Sequence, residues 1–172
     1  ISRRIQGFTL FELIVVICVV GILLAMFANR IIFYQELAEK TAMEETVGNI
    51  QSALNLQFSQ IQTRGQLSDV AMLLIDNPIK WLQKMPSNYA GEFYDATPAS
   101  VAPGHWLFDL KSRELIYVMQ CTEHFKPSAT GQFWIRFHTV RQDQKPVLAS
   151  LQDAPRELTA ILFVPIESYV WY

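Results

Sequence analysis

A chain of 172 residues is long enough for one modest domain, and 16 acidic against 14 basic side chains give it a net charge of −2. That balance, with no basic run anywhere, argues against a nucleic-acid partner. Hydrophobic residues make up 51% of the chain, and much of that excess over a soluble domain sits in the first thirty positions. The remainder has a globular composition, with Trp, Tyr and Phe spread through the C-terminal half. Of the two cysteines, Cys18 lies inside the apolar run and Cys121 in the C-terminal half. A membrane boundary between them rules out an intrachain disulfide, so the C-terminal domain is expected to hold together by its core alone. The sequence opens on Ile1 rather than Met, which leaves its true start residue open.

The first predicted element is the apolar run from Phe8 to Ala28, interrupted by Glu12. Its length suits a helix crossing the hydrocarbon core, which needs ~20 residues. A cleaved secretory signal would have a shorter apolar core and a small-residue exit, whereas Leu23, Leu24, Met26 and Phe27 follow here. A plain signal anchor accounts for Arg3 and Arg4 before the run and for Glu36, Glu39, Glu44 and Glu45 after it. The positive-inside rule then puts the N-terminus in the cytoplasm and the bulk of the chain outside. Neither reading accounts for a carboxylate at membrane depth, which costs roughly 2.5–3.5 kcal/mol and marks a functional position by default.

The string "RRIQGFTLFEL" does account for it. A short basic leader, Gly7, Phe8 and then Thr9-Leu10-Phe11-Glu12-Leu13 resemble the N-terminal signal of type IV prepilins and pseudopilins, and "VVGILLA" around Gly21 matches the usual continuation. The resemblance covers roughly the first thirty residues. It implies a leader, residues 1–7, cut after Gly7 by prepilin peptidase, and N-methylation of the new terminal residue, Phe8. Glu12 becomes the fifth residue of the mature chain, where the family carries glutamate. The physical logic agrees, because cleavage creates an amine on Phe8. The Glu12 carboxylate of one subunit pairing with the Phe8 amine of its neighbour would set the axial register of packed helices, and the attraction is far stronger in lipid than in water. In the free subunit Glu12 is expected to snorkel to the cytoplasmic headgroups. Loss of Arg3 and Arg4 leaves 12 basic against 16 acidic side chains, a net charge of −4 in place of −2.

Past the membrane-length segment, residues 8–28, no proline interrupts residues 29–62, and Met43, Val47, Ile50, Leu54, Phe58 and Ile61 recur at spacings of three and four. That stripe is one face of a helix and is expected to dock the C-terminal head. A helix from Phe8 to Gln62 would be ~80 Å long. Gly48 in its middle suggests a bend or a close backbone contact. Arg64-Gly65 breaks the helix. Ser68 or Asp69 then caps a short helix through Val70, Met72, Leu73 and Leu74, and Pro78 opens a second short turn. The stretch from Pro86 to His105, with three prolines and two glycines, reads as a long irregular connection packed by Tyr89, Phe93 and Tyr94.

Residues 106–172 read as an antiparallel sheet. Trp106, Phe108 and Leu110 alternate, as do Leu115, Tyr117 and Met119, with Lys111-Ser112-Arg113 as the turn of a hairpin. Residues 132–140 set Phe133, Ile135 and Phe137 against Trp134, Arg136 and His138. Residues 157–166 form a further strand, and "ESYVWY" a last one. Asp109 is expected to be solvated. The fold class is therefore α+β: a long N-terminal helix, transmembrane in its first half, whose second half packs on an antiparallel head of residues 63–172. The resemblance names this arrangement the pilin fold.

No phosphate loop or nucleophile elbow is present. His105, His124 and His138 lack metal-ligand spacing, and Glu92 and Asp95 are too sparse a set of oxygens to claim a calcium site. No enzymatic activity, cofactor or metal is expected. The resemblance implies partners instead: other pilin or pseudopilin subunits, prepilin peptidase, the inner-membrane assembly platform and membrane lipid. It implies a single pass through the bacterial inner membrane with the head periplasmic or extracellular. The absence of a C-terminal disulfide and the aromatic tail favour a minor pilin or pseudopilin over a major one. The competing expectation is a bitopic anchor for an extracytoplasmic binding or enzymatic domain.

Overall fold

A computed structural model describes residues 8–65, 67–126, 131–144 and 157–172. Its first element is the helix α1, Leu10–Arg64. Thr9 starts it. Its hydroxyl accepts the Glu12 N–H at 3.2 Å and its carbonyl accepts the Leu13 N–H at 3.1 Å, which satisfies donors that a helix start otherwise leaves bare. Polar residues along the helix do not open it. The hydroxyls of Thr46, Ser52, Ser59 and Thr63 each donate to the carbonyl four residues back. Gly65 ends it in the left-handed conformation, φ 68°, with its N–H on the Gln62 carbonyl. Of the two roles suggested for Gly48, a bend or a close backbone contact, the second is not found among the described residues, where a Cβ would meet nothing within 4 Å.

The chain divides into two compact units, Ile1–Ala38 and Glu39–Tyr172. In the described part of the first, the backbone is helix from Leu10 onward. In the second, Met43, Ile50, Leu54 and Phe58 are buried in one cluster with Trp106, Tyr117, Phe137 and Phe163 of the sheet, and Val47 and Ile61 pack against it. This apolar seam joins helix to sheet, and side chains of such size contribute roughly 1.5–3 kcal/mol each when buried.

Two short helical pieces follow α1. In α2, Val70–Ile75, Asp69 stands at the N-cap without a side-chain cap bond, and the Ser68 hydroxyl donates to Asp69 instead. Pro78 opens a 3-10 turn, Pro78–Trp81, capped by the Asn77 side-chain oxygen on the Ile79 N–H at 3.0 Å.

The sheet contains β1 (Tyr89–Phe93), β2 (His105–Asp109), β3 (Glu114–Val118), β5 (Trp134–Gln144) and β6 (Glu157–Pro165), in the order β1-β2-β3-β5-β6. The pairs β2–β3, β3–β5 and β5–β6 are antiparallel and β1–β2 is parallel. Two expectations are corrected here. The connection before His105 is not wholly irregular: it contributes β1, which hides from pattern reading because Gly91 sits at φ 120° and the register shifts between Tyr89 and Glu92. Alternation does place Trp106, Phe108, Leu115 and Tyr117 on the helix side. The opposite face of the hairpin is buried too, with Leu107, Ile116 and Val118 under Phe93, Ala96, Val101 and Trp134. The proline-rich segment is therefore a second cover for the sheet.

The final strand β7, Val170–Trp171, does not join this sheet. It pairs with β4, Phe125–Lys126, in a separate two-stranded ribbon. On the far side of the main sheet, the Gln51 side chain of α1 accepts from the Phe163 N–H at 2.7 Å and donates to the Ile161 carbonyl at 3.0 Å. The amide occupies the outer edge of β6 as a short strand would.

Candidate functional site

The predicted processing and assembly residues share the start of α1. Gly7, the predicted cleavage position, lies outside the described residues. Phe8 is exposed, and Glu12 is exposed in the first helical turn. A carboxylate there faces the positive end of the helix dipole, while the Thr9 cap holds the backbone at its start. Phe8 and Glu12 are four residues apart, one turn of helix, so a terminal amine and the carboxylate belong to the same end of the segment.

Every residue from Phe8 to Ala28 is exposed, and the large apolar side chains among them point outward all round the helix. A helix that is apolar on all faces needs lipid or other helices around it. This stretch of α1 is long and apolar enough to cross a membrane. The Cys18 thiol on it is exposed and Cys121 is half-buried; neither forms a disulfide.

The head carries polar clusters of another kind, turned inward. Asp109, expected to be solvated, is 5% exposed. Its carboxylate accepts from the Asp95, Lys111 and Ser112 N–H groups and from the Ser112 hydroxyl at 2.7 Å. Burial pushes this carboxyl up, but the Ser112 hydroxyl and the backbone donors of Lys111, Ser112 and Ala96 outweigh it and hold it below its usual range. The result ties the hairpin turn to the end of β1, where Asp95 and Arg113 both take left-handed φ. The signal in the sequence was an Asp followed three residues later by Ser at a strand end, an Asx-turn pattern.

Asn77 is also buried. Its amide donates to the Tyr89 hydroxyl at 2.7 Å and to Glu92 at 2.9 Å, and Lys80 pairs with Glu92 at 2.6 Å. The Asn77 and Lys80 bonds hold the Glu92 carboxyl below its ordinary value. Asp95 pairs with Lys111 at 2.8 Å. Both carboxylates are thus engaged with lysines, and among the described residues no group of three or more His, Cys, Asp or Glu side chains is placed to hold a metal. Glu39, counted in the sequence as part of an acidic flank, accepts from the Tyr117 hydroxyl and from the Gln120 and Cys121 N–H groups. Burial first, and then the Glu39 charge, push the Tyr117 hydroxyl well above its usual range.

An exposed apolar helix with a carboxylate in its first turn defines the class: an anchor-bearing N-terminus fitted for a membrane or for packing against other helices. Residues 2–28 match the family model of the prokaryotic N-terminal methylation motif, so the chain carries the type IV prepilin-type signal. No curated protein and no solved structure is significantly similar to the chain.

Proposed function

We propose that this chain is a type IV pilin-like structural subunit that is cut after Gly7 and N-methylated at Phe8 by prepilin peptidase. Residues 8–28 anchor it in the bacterial inner membrane with the N-terminus cytoplasmic and the head periplasmic or extracellular. The assembly platform then draws it into a pilus or a type II secretion pseudopilus as a minor component. The observation that supports the reading is the methylation motif at residues 2–28, whose described residues from Leu10 onward lie on a helix exposed along its apolar stretch. In a filament those apolar faces are covered by neighbouring helices, and Glu12 meets the Phe8 amine of the next subunit in low dielectric. Aromatic and aliphatic residues line the head core, and the polar side chains in it are hydrogen-bonded, as suits a packed structural module rather than a reaction site.

Mass spectrometry of the mature N-terminus tests this. Expression with an active prepilin peptidase gives a chain starting at N-methylated Phe8. An intact leader under those conditions overturns the reading in favour of a bitopic anchor.

A further inference from the structure

Glu39 and Lys40, adjacent on α1, hold a part of the head that the five-stranded sheet does not. The Glu39 carboxylate accepts the Gln120 and Cys121 N–H groups, both at 2.7 Å, and the Tyr117 hydroxyl at 3.0 Å. These are charge-assisted bonds, the stronger kind. The Lys40 ammonium donates to the Trp171 carbonyl at 2.9 Å and lies 5.2 Å from the centre of the Tyr172 ring, a cation–π arrangement. One helix turn therefore grips both the loop before β4 and the C-terminal strand β7.

Those two gripped segments are also bound to each other. Phe125 and Lys126 pair with Trp171 and Val170, the Phe125 and Trp171 rings meet edge-on at 5.8 Å, and His124 stacks on Tyr172 at 5.7 Å. Neither strand of this ribbon pairs with the main sheet. A two-stranded ribbon is marginal in water by itself, and no disulfide fastens this one, since Cys121 forms none. Its attachments include Phe125 and Trp171 in the core, Tyr169 packed beside them, and the two α1 side chains.

We propose that Glu39 and Lys40 form a two-point latch, and that the β4–β7 ribbon with the loop Gln120–His124 opens from α1 as one unit while the five-stranded sheet stays folded. Local openings of this kind follow the boundaries of cooperative units. Because β4 and β7 are bonded to each other, releasing either point loosens both segments.

Hydrogen exchange on the full-length chain in detergent tests the latch with Lys40→Met and Glu39→Gln. In each variant, amides in 120–126 and in 167–172 should exchange about tenfold faster, the scale set by losing a charge-assisted bond. Amides of β2, β3 and β5 should keep their rates. Unchanged exchange in the ribbon overturns the proposal. So does acceleration confined to the segment the altered residue touches, which would make the two points independent. Equal acceleration across β2, β3 and β5 overturns it as well, because the contacts would then belong to the global core. Lys40→Met keeps the apolar stem of a partly exposed side chain, so it decides the matter if Glu39→Gln fails to fold.

Discussion

Residues 8–38 and residues 39–172 solve opposite problems with the same kind of apolar side chain. In the first stretch Phe8 to Ala28 is exposed throughout, and the surface is uniform around the helix. In the second, Trp106, Leu107, Ile50 and Leu54 are sealed completely, and each buried polar group that organises a loop has a named partner. The difference separates two meanings of hydrophobicity. A head closes on its own core and is finished when the chain has folded. An apolar helix with no covered side is finished only by its surroundings, lipid or other helices.

That contrast can be broken from either side. The largest effect belongs to the head core. Trp106→Ala removes a side chain packed against Tyr117 and Phe137 and should cost about 3–5 kcal/mol in chemical denaturation of the head, with membrane insertion unchanged. Next is Asp109→Ala, which strands several backbone donors at once. It should cost roughly 2–3 kcal/mol by the same measurement. Because the folded carboxyl titrates below its unfolded value, its contribution is complete above the ordinary carboxylate range and is lost as pH falls through the lowered folded value. Asp109→Asn should therefore weaken the acid dependence of the head's unfolding midpoint.

A smaller free energy with a larger biological readout is expected in the first stretch. Glu12→Ala should leave the unfolding midpoint of the head where it is and lower incorporation into filaments about tenfold, the equivalent of ~1.4 kcal/mol. Quantifying the subunit in sheared filaments against the membrane pool measures this, and normal incorporation would remove the register role from Glu12. The least effect is expected from Lys111→Ala, which breaks the exposed pair with Asp95. It should leave the unfolding midpoint of the head where it is, because solvent screens an exposed pair, a contrast with the buried Asp109 beside it.

The two stretches were also unequally legible. Gly7, Phe8 and Glu12 form a local string that can be read without a fold, because the chemistry they serve acts on consecutive residues. The helix and its Met43-to-Ile61 stripe were legible for a related reason, since period and length are local properties. The order of the strands was not. β1 is short and has Gly91, at positive φ, where a larger side chain would have marked its inward face, so its apolar pattern is fainter than that of β2 and β3. Its place depends on the backbone bonds that β2 offers, from the Trp106 and Leu110 N–H groups to the Asn88 and Phe93 carbonyls. The same limit hid Asp109 and Glu39. A charged side chain reads as solvated until distant backbone donors are brought to it, and the donors to Glu39 lie some eighty residues away along the chain.

Gln51 has a consequence for crowding. The terminal strand of an open sheet is a template on which another chain can grow. Here its Phe163 donor and Ile161 acceptor are already occupied by an amide from α1, and Pro165 offers no N–H at all. Heads held side by side at high local concentration find that part of the border, from Ile161 to Pro165, closed to strand pairing. There they are left to meet through side chains, which can be matched to one neighbour and refused to another.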